Sequence, residues 1–216
     1  MLSDSFEYTK EAVMEKWVKW ILLIIPFMTQ GYSIQVFKGV KPAPEVNDWV
    51  ATFIDGIKLV LVGIIYFIPI IIIGLLFMLP LIIAGLTGKY SAIMAGVGAA
   101  FLGLLICIIL GIIVYILLPI AYIRFARTGS FGDAFNFNAI LAHIGKIGWG
   151  AYIISMIVLV IAAFVFGIVL AIVSFILMLI PVLGWLLFFI IELILMPPVG
   201  IFVARYFTQV YDSVAA

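Results

Sequence analysis

A single carboxylate interrupts a long apolar run near the C-terminus. Glu192 is the only charged residue between Lys146 and Arg205, and Pro197 and Pro198 follow it by little more than one helical turn. A carboxyl group held in hydrocarbon exchanges a proton or binds a cation, and prolines inside a helix leave backbone carbonyls without their N–H partners. The pattern predicts either a neutral, hydrogen-bonded structural acid or a proton- or cation-responsive site at Glu192.

Hydroxyl groups in the other apolar runs are the partners available to this carboxyl. They belong to Ser155, Ser174, Tyr66 and Tyr115. Because these runs contain no cation, we expect Glu192 to be protonated at neutral pH, to face other helices, and to bond to hydroxyls or to the carbonyls that the prolines free. Counted from Gly184, it lies about 12 Å into its helix, near the midplane of a bilayer core about 30 Å thick.

Catalytic and metal-binding motifs are missing from the sequence. There is no HExxH, GxSxG or CxxC pattern, and Cys107 is the only cysteine. We interpret His143 as a residue at the lipid boundary and Asp55 as a local structural acid. The sequence therefore predicts no catalytic site, no cofactor and no metal site.

Composition excludes a soluble globular protein, since 68% of the residues are hydrophobic and only 10% are charged. Charge-free runs extend over residues 59–88, 90–123 and 147–191, and about 20 helical residues cross a bilayer core. The stretch from Pro181 to Gly184 is expected to divide the last run. We predict an all-α polytopic membrane protein with four transmembrane helices in two hairpins: Ile57–Leu86, Ala92–Phe125, Trp149–Ile180 and Trp185–Phe207.

The N-terminal region contains a further apolar segment, Trp20–Phe37, which turns polar after Met28. We expect it either to be a fifth span or to be re-entrant. The preceding residues carry charges of both signs, with apolar side chains at roughly helical spacing, and predict an amphipathic surface helix. Those apolar side chains are Phe6, Val13, Trp17 and Trp20.

The lysines and arginines indicate the orientation. Most of them fall at one end of the predicted spans, so the positive-inside rule predicts a multi-pass protein of the plasma membrane with a cytoplasmic C-terminus and cytoplasmic longer loops. Arginines at this end are expected to extend toward the headgroups. The basic boundary consists of Lys58, Arg124, Arg127, Lys146 and Arg205.

The two longer loops resemble each other. Each contains an amphipathic stretch, at Asp48–Lys58 and at Asp133–Lys146, and we expect both to form interfacial helices. Each leads into an apolar hairpin, and the second arms end similarly, as PIAYIRFAR and PPVGIFVAR. We therefore divide one membrane domain into residues 1–41 (N-terminal helix and first apolar segment), 42–129 and 130–216 (an interfacial helix and a hairpin each).

Several stretches resemble a known family. The runs GYSIQVFKGVKPAPEVNDWVATFIDGIK, IIYFIP and PIAYIRFARTGSFGDAFNF are similar to the prokaryotic integral membrane family catalogued as domain of unknown function 4013, from about Gly31 onward. The resemblance implies the membrane topology. It implies no activity, because that family has no assigned chemistry.

Two classes of function follow. With a net charge of +1 and basic residues spread along membrane boundaries, nucleic acid is not an expected partner. The first class is a membrane-embedded scaffold or binding protein, with membrane lipids, other membrane proteins or a second copy of itself as partners. The alternative is a small-solute or ion transporter or channel that uses Glu192.

Overall fold

The computed structural model describes residues 1–180 and 183–215, and the regular secondary structure of these residues is helical. Contacts divide the chain into two compact units, Met1–Val60 with Ile120–Ala216, and Leu61–Pro119. The equivalence of residues 42–129 and 130–216 stays a prediction. The helices are α1 (Leu2–Val13), α2 (Trp17–Ile24), α3 (Met28–Phe37), α4 (Trp49–Thr87), α5 (Tyr90–Thr128), α6 (Phe131–Ala134), α7 (Phe137–Ile147), α8 (Trp149–Met178) and α9 (Leu183–Asp212), followed by a 3-10 turn, Ser213–Ala215.

The predicted spans are confirmed. Within the described residues, α4, α5, α8 and α9 are long and apolar enough to cross a membrane. At 1.5 Å per residue the shorter pair, of 30 residues each, reaches about 45 Å, which exceeds a core of about 30 Å. The prolines inside α4, α5 and α9 do not end these helices. Pro181 and Val182, where we predicted the break before the last span, lie outside the described residues.

The predicted interfacial helix at Asp48–Lys58 is not a separate element. Asp48 caps the start of α4, because its Oδ1 accepts a hydrogen bond from the Ala51 amide at 2.9 Å. No positive-φ residue lies between Lys58 and Thr87, and Pro69 and Pro80 do not end the helix, so it continues to Thr87. The amphipathic stretch is the first part of a long helix.

A separate helix, α7, covers the second predicted stretch from Phe137 onward, while Asp133 belongs to the short helix α6. The interfacial position of α7 stays a prediction. Asn136 caps it by accepting from the Ala139 amide at 3.1 Å, and Gly148, with a φ of 91°, ends it before α8. Its apolar face buries Ile140 and Ile144. The backbone conformation of Gly148 therefore separates α7 from the span α8. The corresponding stretch at the start of α4 has no such break.

The N-terminal helix packs one face against the protein, and its position at a membrane surface stays a prediction. The α1 helix buries Tyr8, Ala12 and Val13, largely against α9. The expected apolar face is divided, since Phe6 and Trp17 stay exposed. Its helical spacing is broken at Glu15, whose positive φ of 62° lies between α1 and α2.

The first apolar segment is bent by 113° between α2 and α3. Phe27, directly after Pro26, has a φ of 69° and produces the bend. The two helices have 8 and 10 residues, so each is about 15 Å long or less. Neither is long enough to cross a bilayer core.

Contacts with α9 trace the path of this segment. Gln209 near the end of α9 donates to Ser5 Oγ at 2.7 Å, and the Trp20 indole N–H donates to the Ile194 carbonyl at 2.8 Å. The chain then returns, since the Thr208 hydroxyl lies 3.2 Å from the Val36 carbonyl. The excursion from Gln209 to Ile194 covers about 22 Å of α9. The stretch from Ser5 to Val36 therefore begins and ends at the same end of α9, whereas Trp20–Phe37 alone runs from Ile194 back to that end. That this segment is a fifth span or re-entrant stays a prediction.

The start of α4 packs closely on α3. A side chain at Gly56 would collide with the carbonyl of Phe27, and one at Gly31 would collide with the carbonyl of Thr52. Both contacts are backbone to backbone. Asp55-Gly56, a specific part of the family resemblance, therefore includes a position where the packing requires glycine.

The unit formed by Leu61–Pro119 is a helical hairpin with close contacts between α4 and α5. A Cβ placed on Gly96 would lie 2.6 Å from the Leu81 Cα, and one on Gly103 would overlap the Phe77 side chain. The Cys107 thiol donates weakly to the Ile70 carbonyl at 3.6 Å. Small residues on α5 thus allow the two helices to approach.

Candidate functional site

The prolines of α9 free one carbonyl that another helix uses. Pro198 has no N–H to donate to Ile194, the residue four positions earlier. The Trp20 indole N–H takes its place, 2.8 Å from the Ile194 oxygen. The proline pair therefore provides a docking point for α2 two residues from Glu192.

A groove of about 430 Å³ lies beside this turn of α9. Its polar residues are Thr29 and Gln30 from the first turn of α3 and Glu192 from α9. Its remaining walls come from α8 and α9: Phe166, Leu170, Leu195, Met196, Val199 and Gly200. Glu192 is the only charged residue among those that line it.

Glu192 does not make the contacts expected from the sequence. Its side chain is exposed and forms no hydrogen bond or ion pair with another residue of the described part of the chain. The freed carbonyl of Ile194 accepts a hydrogen bond from Trp20 and not from the carboxyl. The expectation of a carboxyl turned toward neighbouring helices and hydrogen-bonded there is therefore wrong.

The amide of Gln30 is the second unusual group in the groove. Its Oε1 is buried and accepts no hydrogen bond from the residues that the structure describes. The neighbouring Thr29 hydroxyl already donates to the Leu23 carbonyl at 2.7 Å. Its oxygen can therefore accept a further hydrogen bond, but the hydroxyl has no second proton to donate. Together with Glu192, the groove presents acceptors that lack donors.

The sequence contains only an indirect signal for Thr29 and Gln30. They belong to the polar half of Trp20–Phe37, which we used to question whether that segment spans. Their proximity to Glu192 depends on the bend at Phe27, and hydropathy does not report such a bend.

The hydroxyl residues predicted to join Glu192 lie elsewhere. Ser155 donates to the Tyr152 carbonyl at 2.6 Å, and its own carbonyl accepts from Tyr206 at 2.8 Å. Because Tyr206 is fourteen residues from Glu192, this cluster lies about 21 Å away along α9.

The other predicted hydroxyls do not line the groove either. Ser174 is half-buried, one turn beyond Leu170 on α8. Tyr66 and Tyr115 belong to the unit Leu61–Pro119, where Tyr66 is buried and Tyr115 is exposed. Of the prolines, Pro197 is buried and Pro198 lines a neighbouring cavity.

That neighbouring cavity, of about 300 Å³, is apolar and partly covered by α1. Phe6 and Thr9 of α1 lie over it, and its other residues come from α8 and α9. It shares Phe166, Leu195 and Val199 with the groove, so the two spaces adjoin at these side chains. The groove contains the polar residues, and the neighbouring cavity is apolar.

The basic boundary is mostly ion-paired within the protein. Arg205 is only 5% exposed; its Nε donates to Asp4 at 2.8 Å, and its guanidinium lies 4.9 Å from the centre of the Tyr8 ring. The prediction that this arginine extends to the headgroups is therefore wrong. Arg205 instead fastens α1 to α9, and Lys41 adds a second bond to Asp4 at 3.0 Å.

Two further members of the basic boundary, Lys58 and Arg124, are also ion-paired. Lys58 pairs with Asp55 at 2.9 Å and Arg124 with Asp133 at 3.4 Å. Lys146 is exposed.

Arg127 and His143 enclose the last aromatic residue of α9. Arg127 pairs with Asp212 at 2.7 Å and lies 4.7 Å from the centre of the Tyr211 ring. The His143 ring stacks on the Tyr211 ring at 3.7 Å, and its Nε2 is 3.0 Å from the Tyr211 carbonyl. Burial lowers the pKa of His143 below its ordinary value. These contacts give His143 a structural role at the end of α9.

Comparisons with known proteins place the chain in a family. No curated protein and no solved structure matches it. The family model described as "Protein of unknown function (DUF4013)" matches residues 19–175, which is well over half of the chain. The match includes Thr29, Gln30 and the α8 wall of the groove but ends before Glu192. The protein is thus a member of the DUF4013 family.

Proposed function

We propose that the protein is a membrane-embedded scaffold or binding protein whose partners are membrane lipids and other membrane proteins, a second copy of the chain included. One observation carries the proposal: among the described residues of α3, α8 and α9, the polar groups lie in two separate places. Glu192 and Gln30 line a groove on the side of α9, while Tyr206 is bonded to Ser155 about 21 Å away. A groove open to its surroundings suits binding.

The apolar helices support the same proposal. Of the most apolar stretches of α5, α8 and α9, only 11% of the residues are buried within the protein. The exposed side chains are large and apolar, such as Phe164, Phe175 and Phe189. Such surfaces are covered by lipid or by partner helices. The proposal includes no catalytic step and no nucleic-acid partner.

Transport remains the second candidate because of the unpaired carboxyl of Glu192. A charged residue in a span is costly, and its usual roles are in ion or proton pathways. A transporter would present further polar groups along the same route.

For the orientation, we propose a plasma-membrane protein with its C-terminus and longer loops in the cytoplasm. The bond between Asp4 and Arg205 supports this, since it brings the N-terminal helix to the basic end of α9. Lys10, Lys16 and Lys41 then join the positively charged side, which strengthens the bias that the positive-inside rule uses.

Reconstituted protein distinguishes binding from transport. Proteoliposomes containing the wild type or Glu192→Gln are loaded with a pH-sensitive dye and then with a cation-sensitive dye, and flux is measured after a pH jump or a salt jump. The proposal predicts flux equal to that of empty liposomes for both proteins, together with retention of lipid through detergent exchange. Flux in the wild type that Glu192→Gln removes would establish transport.

A further inference from the structure

The groove beside α9 lacks hydrogen-bond donors for the acceptors it contains. Gln30 Oε1 is buried without a partner among the described residues, and Thr29 has used its hydroxyl proton on Leu23. A buried acceptor without a donor costs roughly 1–3 kcal/mol. An occupant that donates hydrogen bonds would recover this cost.

The charge of the groove narrows the chemistry of the occupant. Glu192 is the one ionisable residue that lines it, and no cation of the described residues pairs with it. An anionic occupant would meet a carboxyl group without a compensating cation. A divalent metal ion needs several oxygen ligands, usually with more than one carboxylate. A single positive charge with several N–H donors matches one carboxylate and one amide oxygen.

The walls indicate what the positive group is attached to. Phe166, Leu170 and Leu195 surround the polar residues of the groove with apolar surface, and the adjoining apolar cavity under α1 is lined by Leu159 and Phe202. The two spaces, about 430 and 300 Å³, are in the range that holds a small ligand. The occupant is therefore an amphiphile.

We propose that this groove binds the primary ammonium headgroup of an amine-bearing membrane lipid, with Glu192 as its counter-ion, Gln30 Oε1 as a hydrogen-bond acceptor and a hydrocarbon chain along α8 and α9. The inference rests on the proposed function as a binding protein and names the lipid class. Three N–H donors on the ammonium group supply what the groove lacks. A quaternary ammonium group has the charge but no donor.

Purified full-length protein in a neutral maltoside detergent tests the proposal. Thermal unfolding is followed while n-dodecylammonium, n-dodecyltrimethylammonium or dodecanoate is titrated, so that chain length is constant and only the headgroup changes. Ethylammonium is the soluble amine without a chain. Native mass spectrometry from an equimolar mixture of phosphatidylethanolamine and phosphatidylglycerol then reports which lipid stays bound.

The variants distinguish loss of the Glu192 and Gln30 contacts from a general loss of stability or charge. Glu192→Gln keeps the size of the side chain and removes its charge, and Gln30→Leu removes the amide. Glu7→Gln is the matched control, because Glu7 is an exposed carboxylate of α1 that does not line the groove. A melting curve without ligand shows that each variant is folded, and Glu192→Asp provides a second carboxylate-bearing protein.

The expected result is a rise in melting temperature with n-dodecylammonium that the quaternary amine and dodecanoate do not produce. Glu192→Gln and Gln30→Leu each weaken the apparent affinity by about tenfold or more, the order expected for one lost charge-assisted hydrogen bond. Glu7→Gln and Glu192→Asp retain the response, and phosphatidylethanolamine is preferred. A response to ethylammonium equal to that of the amphiphile would overturn the lipid assignment in favour of a free amine.

Equal responses to the primary and quaternary amines, or an undiminished response in Glu192→Gln, would refute the ammonium site. These failures leave the proposed function intact if lipid is still retained and no flux is seen. Cation flux in proteoliposomes would instead refute the proposed function whatever the headgroup preference.

Discussion

The indole of Trp20 supplies a hydrogen bond that the backbone of α9 cannot make. Two consecutive prolines in a span would ordinarily leave carbonyls unsatisfied in an apolar setting, at a cost of several kcal/mol for each group that stays without a partner. The contact between Trp20 and Ile194 removes one of them. Pro198 and Trp20 are therefore linked energetically although they are far apart in the sequence.

A double-mutant cycle tests this link. We expect Trp20→Phe to lower the free energy of unfolding by about 1 kcal/mol, because it removes the donor to the Ile194 carbonyl. In a Pro198→Ala background the same substitution should cost less, since the restored backbone N–H donates to that carbonyl. Urea or thermal unfolding in detergent measures both.

Trp17→Phe is the control for the loss of aromatic surface, because Trp17 stacks on Trp20 at 5.6 Å and is exposed. Equal costs for Trp20→Phe in the two backgrounds would show that the indole bond does not substitute for the missing amide.

Asp4 gives a pH-dependent prediction. The hydrogen bond from Arg205 lowers the pKa of Asp4 below its ordinary value, so the folded state holds this proton less tightly than the unfolded state. The stabilisation is complete above the unfolded value of about 3.9 and is lost as the pH falls through the folded value. Because Asp4 is 41% exposed, solvent screening keeps the effect to roughly 1 kcal/mol.

Wild-type protein should therefore lose stability more steeply than Asp4→Asn as the pH is lowered below about 4. Thermal unfolding between pH 3 and pH 7 gives the comparison. Glu7→Gln should follow the wild-type curve, since Glu7 is exposed on the same helix. Parallel curves for the wild type and Asp4→Asn would contradict the role of the Arg205 bond.

At the scale of elements, hydropathy predicted the long helices but not the bends and breaks between them. The starts and ends of α5 and α8 fall within a few residues of the prediction, because charges or glycines border their apolar runs. The extent of α4 was mispredicted, because amphipathic and apolar stretches follow each other without a break. The bend at Phe27 depends on backbone conformation, and the site next to it was missed for that reason.

The glycines of α5 provide a test of helix packing. We expect Gly103→Leu to destabilise the hairpin by several kcal/mol, because its side chain would overlap Phe77 of α4. Gly98→Leu should cost far less, since a Cβ at Gly98 meets no atom within 4 Å. The two substitutions add the same atoms to the same helix.

Thermal unfolding in detergent measures the difference, and Leu102→Ala, at an exposed neighbour of Gly103, reports the effect of losing side-chain surface. Similar melting temperatures for Gly103→Leu and Gly98→Leu would contradict a close approach of α4 and α5 at this point.

At the scale of the whole molecule, the bent pair α2 and α3 decides the topology. Among the described residues four long helices are able to cross a membrane, and the bent pair would be a fifth crossing only if it forms one span. Four crossings place the two termini on one side of the membrane, whereas five would place them on opposite sides. The sequence does not show the path of this pair, because the contacts that trace it link residues up to 204 positions apart.

Labelling from each side of the membrane tests this topology. In a Cys107→Ser background, single cysteines at Ser3, Asn47 and Gly132 should react with a membrane-impermeant maleimide from the same side, and one at Lys89 should react from the other. In intact cells the proposed orientation predicts labelling of the Lys89 position alone. Reaction of the Ser3 and Gly132 positions from opposite sides would require a fifth crossing.

The contact between α1 and α9 also has a consequence for biogenesis. Asp4 and Arg205 are 201 positions apart, so during translation the N-terminal helix leaves the ribosome long before the helix that receives it. Contacts between distant parts of a chain form late, because the intervening chain must first be ordered. Until then, we expect Tyr8 and Leu23 to remain uncovered by the helix that later buries them. The contact requires α1, which is made earlier than α9, to stay available until α9 has emerged.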